Sequence, residues 1–240
     1  MEILIQMISK KTQNSPLHNF LLTLGVEVKN TQIFDEVFTH RSYLNEHKSV
    51  AHNHNERLEF LGDAVLELVV TEHLYKTYPN PEGELTNWRS AIVKGEMISQ
   101  VSRQLNLGSF LKMSKGEEQS GGKERNLILA NLFEALIGGI YLDEGYAKAS
   151  QFIHTYLIPK LKKIIEEGTY IDSKSRFQEL IQNKIGFTPR YELIDQDGPD
   201  HNRMFTIGVY IEEKCVGKGQ GPSKQKAEQA AAADALTYYL

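Results

Sequence analysis

The chain of 240 residues is 40% hydrophobic and carries 27 Lys and Arg against 31 Asp and Glu, a formal charge of -4. That length holds one moderate domain plus a small one, and the acidic balance excludes bulk electrostatics as the means of holding nucleic acid, which must rely on local patches. The opening Met1-Glu2-Ile3-Leu4-Ile5-Gln6-Met7-Ile8 is too short an apolar run for a signal peptide and has an acid where positive charge belongs. The only cysteine, Cys215, excludes an internal disulfide, so a reducing cytoplasm without membrane passage is the expected setting.

Leu17 to about Glu166 reads as helices joined by short loops, with no convincing strand pattern before residue 185. Ile33-Phe34-Asp35-Glu36-Val37-Phe38 leads into His40-Arg41-Ser42. His47, His52 and His54 follow; no cysteine is near and the spacing is not that of structural zinc, so they read as solvated loop histidines.

Next comes Asn55-Glu56-Arg57-Leu58-Glu59-Phe60-Leu61-Gly62-Asp63-Ala64-Val65. On a helix, at about 100° per residue, Glu56, Glu59 and Asp63 fall near 0°, 300° and 340°, within an arc of roughly 60°. Leu58, Leu61, Ala64, Val65 and Leu68 fall between about 80° and 200°, so the helix can dock into a core while presenting its acids to a cleft. Packed like charges need a compensating cation, and a hard divalent ion with oxygen ligands is the natural candidate; the plainer alternative is a solvated acidic face.

Pro81-Glu82-Gly83-Glu84-Leu85-Thr86 precedes a helical spacing of apolar residues from Ala91 to Leu105, and Gly108, Gly116 and Gly121-Gly122 punctuate loops. Leu127 to Leu142 is apolar almost all the way round, as a core helix would be, and reads as too short and too polar to span a membrane. Asn131 and Glu134 interrupt it on one face. A carboxylate there needs a basic partner, for which Arg57, Arg89 and Arg125 are available, or a metal.

Glu166 to Ser173 is polar, contains Gly168 and offers an N-cap, so a linker is expected with its boundary near Gly168. Ser175 to Lys184 reads as a helix, and Arg190–Ile194, Met204–Ile211 and Lys214–Gly219 as strands. Ser223 to Tyr239, dense in alanine, closes the chain as a helix. After residue 171 there are nine Lys or Arg against ten Asp or Glu, and the clearest basic patch is Lys214 through Lys226, with four lysines and no acid. Ser42, Ser90 and Ser120 lack a nucleophile elbow, and neither a P-loop nor a dinucleotide fold context exists, so serine catalysis and nucleotide cofactors are not expected.

His40-Arg41-Ser42, the run Asn55 to Val65, Pro81 to Thr86, Ser120-Gly121-Gly122-Lys123 and Glu134-Ala135-Leu136-Ile137-Gly138-Gly139 occur in the order found in bacterial ribonuclease III, which the chain closely resembles from about residue 17 onward. The resemblance implies an all-α endonuclease domain over 17–167 followed by a small α+β (α-β-β-β-α) double-stranded RNA-binding domain over 172–240. It also implies a homodimer, with Phe60 entering a socket on the partner, that cleaves double-stranded RNA, including ribosomal precursors, to 5′-phosphate and 3′-hydroxyl ends with short 3′ overhangs. Glu59, Asp63, Asn131 and Glu134 would form the metal set for Mg²⁺, with Mn²⁺ as substitute. Asp63 and Glu134 stand at its catalytic centre, and Glu56 and Glu82 match further acidic positions of the cleavage site.

The departure is Asn131, where most bacterial members carry Asp. An amide oxygen still ligates Mg²⁺ but brings no charge, so weaker metal binding is expected. A dimer that binds duplex RNA without cutting it is therefore the alternative, and a metal-dependent DNA nuclease a third reading. In the second domain the resemblance places Gln178 and Glu179 on 2′-hydroxyls of one minor groove, His201 in the next, and Lys224, Gln225 and Lys226 on the phosphates between, as expected of a module that reads A-form shape.

Overall fold

The structure, a computed structural model, describes residues 15–47, 53–167, 173–199 and 203–239. The chain divides into two compact units, Met1–Glu167 and Gly168–Leu240. Most of the expected linker with its Gly168 boundary, His201, His52 and residues 1–14 lie outside the described residues.

The first unit is helical. In chain order it comprises α1 (Pro16–Thr23), α2 (Thr31–Val37), α3 (Arg41–Glu46), α4 (Glu56–Thr77), α5 (Glu82–Ile92), α6 (Gly95–Gln104), α7 (Lys115–Gln119), α8 (Asn126–Glu144), α9 (Tyr146–Tyr156) and α10 (Pro159–Glu167). Among the described residues the departure from the helical expectation is an isolated parallel bridge, Thr39 to Lys112. It ties the entry of α3 to the loop before α7, and Lys112 adds an ion pair to Asp35 at 2.9 Å.

The centre of this unit is α8, in which Leu132, Phe133, Ala135, Leu136 and Ile137 are fully buried. By length and composition it is long and apolar enough to cross a membrane, contrary to the reading of its sequence. Its apolar surface is instead consumed by neighbours, chiefly α4, and its C-terminal acids are put to use. Asp143 accepts the backbone N–H groups of Lys29 and Asn30, each at 2.8 Å, fixing the entry into α2.

Glycine sets how closely α4 and α8 approach. A Cβ on Gly62 would overlap the backbone carbonyl of Glu134, and one on Gly138 would overlap that of Leu58. Contact at this range puts backbone against backbone, so what flanks Gly62 on α4 and Glu134 on α8 is brought together.

The buried stripe of α4 differs from the one expected. Leu58, Gly62, Val65, Leu66, Val69, Val70 and Leu74 are buried, the first five on an arc of about 180° to 280° counted from Glu56 and the last two at about 320° and 0°. Leu61 is half-buried, Ala64 is exposed, and Leu68 is 56% exposed. The physical reason is the glycine contact, which rolls α4 so that Gly62 rather than Leu61 faces α8. An apolar strip with Phe60 81% and Tyr75 80% exposed is left on the surface beside the acids.

The second unit comprises α11 (Ser173–Ile185), β1 (Arg190–Asp197), β2 (Met204–Ile211), β3 (Lys214–Gly221) and α12 (Lys224–Tyr239). The strands form an antiparallel sheet in the order β1-β2-β3. Phe177 and Ile181 of α11, Ile207, Val209 and Ile211 of β2, and Ala227, Ala231, Ala232, Ala235 and Leu236 of α12 make the core. The alanines of α12 lie on alternate glycines of β3. A Cβ on Gly217 would stand 2.6 Å from the Ala231 carbonyl oxygen, and one on Gly221 2.8 Å from the Ala227 nitrogen.

Candidate active site and nucleic-acid interface

Three turns of sequence build the acidic site. Asn55 is buried and its amide donates to the Val37 carbonyl at 3.2 Å, which anchors the start of α4. From that anchor Glu56, Glu59 and Asp63 project along one side of the helix, as their spacing predicts. The glycine contact then brings Asn131 and Glu134 of α8 against them.

The electrostatics reflect how close these side chains stand. Glu134 is half-buried and its carboxyl is pushed up to about 7, first by loss of solvent and then by the charges of Asp63 and Glu59. Glu59 is also raised, by burial and by Glu56 and Asp63, with the Asn131 amide pulling the other way. Like charges held this closely stabilise the protonated form unless a cation intervenes.

None of the proposed basic partners reaches Glu134. Arg89 pairs with Glu67 at 3.4 Å and Arg125 with Glu117 at 2.6 Å, and among the described residues Glu134, Glu59 and Asp63 have no ion pair. The set is all-oxygen, acidic and uncompensated, which is the donor chemistry of a hard divalent cation. No three His, Cys, Asp or Glu side chains among the described residues converge on one point. Asn131, an amide hydrogen-bonded to Glu59, stands where a fourth carboxylate would be. The donor chemistry of the residues present fits a hard divalent cation.

Glu82 is not brought to this cluster. It sits at the start of α5, accepts a hydrogen bond from Thr86 at 2.9 Å, and lines an open cleft of about 640 Å³ with Tyr75, Tyr78, Leu85 and Arg89. Tyr75 lies twelve residues beyond Asp63 on α4, about 18 Å along the helix axis.

Two residues beside the acids are given no part in the site by the sequence spacing. Arg41 lies 3.4 Å from one oxygen of Glu56 and His54 Nδ1 lies 3.7 Å from the other. No linear pattern announces this, because Arg41 reaches across from a separate helix. His47, by contrast, bonds the Tyr43 carbonyl at 3.0 Å and stacks on the Tyr43 ring, a local helix-end role.

In the second unit Gln178 and Glu179 are exposed on α11, opposite the buried Phe177 and Ile181. Lys224, Gln225 and Lys226 are exposed on the first turn of α12. Ser223 Oγ accepts the Lys226 N–H at 3.3 Å there. Neither lysine has an ion pair among the described residues, so both charges face solvent beside a helix N-terminus.

A helical domain with an acidic, oxygen-donor site, followed by an α-β-β-β-α module with free lysines at a helix start, defines a two-domain endonuclease of double-stranded RNA. A Ribonuclease-III-like family model matches residues 30–161 and a Double-stranded RNA binding motif matches 173–239. Ribonuclease 3 of Streptococcus gordonii is 43% identical over 231 residues, 95% of this chain and 96% of that protein. Ribonuclease 3 of Streptococcus pneumoniae is 43% identical over 216 residues, 88% of this chain and 91% of that one. The nuclease domain of ribonuclease III from Campylobacter jejuni, with a TM-score of 0.54 and 37% identity, covers 60% of this chain, and 99% of its own length is matched. The chain belongs to the ribonuclease III family.

Proposed function

We propose that this ribonuclease III hydrolyses both strands of duplex RNA in a Mg²⁺-dependent reaction, leaving 5′-phosphate and 3′-hydroxyl ends with short 3′ overhangs, in the cytoplasm. The observation that carries the metal dependence is Glu134, a half-buried carboxyl pushed up to about 7 first by loss of solvent and then by the charges of Asp63 and Glu59, with no ion pair among the described residues.

A divalent cation bound there supplies charge neutralisation of the phosphodiester and activation of water. Glu59, Asp63, Asn131 and Glu134 would hold it. Asn131 contributes an amide oxygen without charge, which weakens the hold but leaves three carboxylates. Glu56, one turn upstream on the same side of α4, orients substrate or water at the rim. Exposed Gln178, Glu179, Lys224, Gln225 and Lys226, with His201, grip the duplex through 2′-hydroxyls and phosphates, so shape rather than base sequence selects the substrate. Structured precursors such as those of ribosomal RNA fit that mode.

We further propose a homodimer built on the exposed strip of α4. The similar Campylobacter jejuni nuclease domain has a region involved in dimer formation, which supports that reading. Phe60 at the head of the strip is the anchor. Glu82, which shares the lining of the cleft with Tyr75 near the far end of α4, then acts in the dimer or in that cleft.

The neutral Asn131 favours one rival, a dimer that holds duplex RNA uncut. The deciding experiment incubates the protein with an end-labelled RNA duplex longer than two footprints of about 16 base pairs, with and without Mg²⁺, and maps the ends. Mg²⁺-dependent staggered cuts that vanish in Glu134→Gln are expected. Tight binding of an intact duplex would establish the rival, and equal cutting of DNA would reopen the substrate class.

A further inference from the structure

Glu56 is enclosed by basic groups on both sides. Arg41 Nη1 stands 3.4 Å from Oε1 and His54 Nδ1 stands 3.7 Å from Oε2. That imidazole nitrogen is buried and has no hydrogen-bond partner of its own, so Glu56 is the acceptor nearest to hand. The rest of the acid group has no such company: Glu59, Asp63 and Glu134 make no ion pair among the described residues. One carboxylate of the four is thus already compensated by the protein, and it is the one at the rim.

Arg41 is placed there by construction. His40 caps α3, its Nδ1 receiving the Ser42 N–H at 3.3 Å and lying 2.8 Å from Ser42 Oγ. Ser42 Oγ in turn accepts the Ser114 N–H at 3.0 Å. The first turn of α3 is therefore pinned to the loop before α7, and Arg41, its first residue, projects from a fixed base toward Glu56. The Arg41 side chain is 70% exposed and that of Glu56 46%, so the guanidinium can leave without opening the core.

We propose that Arg41, backed by His54, is a resident counter-ion that competes with the divalent cation for Glu56, holding that carboxylate out of the metal site until the cation displaces the guanidinium. This rests on the metal-dependent reading above. Two effects act in the same direction. The guanidinium occupies the oxygen a cation would attract, and its charge lowers the negative potential that draws a cation to the acids. Both are modest, because the pair is solvent-exposed and screened.

The test is direct metal binding by the full chain without RNA. Mn²⁺ serves as the probe, with free ion counted by electron paramagnetic resonance and Mg²⁺ added as competitor. Arg41→Gln should bind Mn²⁺ about two- to fivefold more tightly than the parent, the range an exposed ion pair allows. Arg41→Lys should resemble the parent, His54→Gln should show a smaller gain of the same sign, and the gain should vanish when Arg41→Gln is combined with Glu56→Gln. Binding that is unchanged or weaker in both Arg41→Gln and His54→Gln would overturn the competition, as would a gain that survives the loss of Glu56. Absence of Mn²⁺ binding by every variant would sink the metal reading along with it, whereas binding by the parent that ignores Arg41 and His54 would sink the proposal alone. Thermal melts of each variant separate these outcomes from misfolding.

Discussion

Gly62 of α4 lies against the backbone of Glu134 on α8, so closely that a methyl group in place of its hydrogen would occupy the space of the Glu134 carbonyl. The position of the most perturbed carboxyl among the described residues is therefore set by main-chain contact. Gly62→Ala, or Gly138→Ala on the facing helix, must push the two helices apart. A loss of at least about 2 kcal/mol is expected, read as a lower denaturation midpoint at unchanged slope in urea. A variant of parental stability would show that the helices do not touch here.

The raised carboxyl of Glu134 makes metal-free stability depend on pH. Its folded value of about 7 exceeds the ordinary 4.5, so its contribution is fully present below about 4.5 and is lost as pH rises through about 7. Glu134→Gln should remove that slope and be more stable than the parent at pH 8 without metal, by on the order of 2 kcal/mol after allowance for its partial exposure. Saturating Mg²⁺ should restore the parent selectively. Parallel pH profiles for the two proteins would count against the buried, uncompensated acid.

Asn131→Asp places a fourth carboxylate beside Glu59 and removes the amide that now offsets Glu59's burial. Without metal the variant should melt below the parent. The Mg²⁺ concentration for half-maximal cleavage should fall about tenfold, the scale of one added charge in a partly solvated site. A nuclease that appears only in this variant would make the native chain the non-cutting binder.

Phe60 is 81% exposed and heads the apolar strip of α4. Phe60→Glu should convert the protein to a monomer in light scattering with little change in its melting temperature, since the ring contributes nothing to the protomer's core. An unchanged dimer would relocate the interface.

The exposed lysines of α12 should act on all duplexes alike. Lys224→Ala with Lys226→Ala is expected to weaken RNA binding uniformly across sequences and to reduce the slope of log affinity against log salt by about two, one for each phosphate that a lysine no longer neutralises. Weakening confined to one sequence would argue for base reading.

Local pattern carried much of this fold into view. The three strands begin at Arg190, Met204 and Lys214 as expected, with β1 and β3 running on to Asp197 and Gly221. The acid arc of α4 was legible because helical spacing alone fixes which side chains share a side. What could not be read was rotation. Leu61, Ala64 and Leu68 are as apolar as any core residue, and only the glycine-to-carbonyl contact across two helices decides that Gly62 faces inward instead. Arg41 was hidden for a related reason: its partner, Glu56, is chosen by the angle between helices, which no periodicity encodes. Glu82 shows the converse, a motif residue that sequence order places with the acids and the chain places elsewhere.

The alternation of Gly217, Gly219 and Gly221 beneath Ala227, Ala231 and Ala235 has a mechanical outcome. With no side chain on β3 at these three positions, α12 rests directly on the backbone of that strand and has little room to slide or tilt. Lys224 and Lys226 are thus mounted on a stiff frame, and the span between them and the sheet is a fixed length. A rigid caliper of that kind responds to the pitch of a duplex, closing well on one helical form and poorly on another, whatever bases it carries.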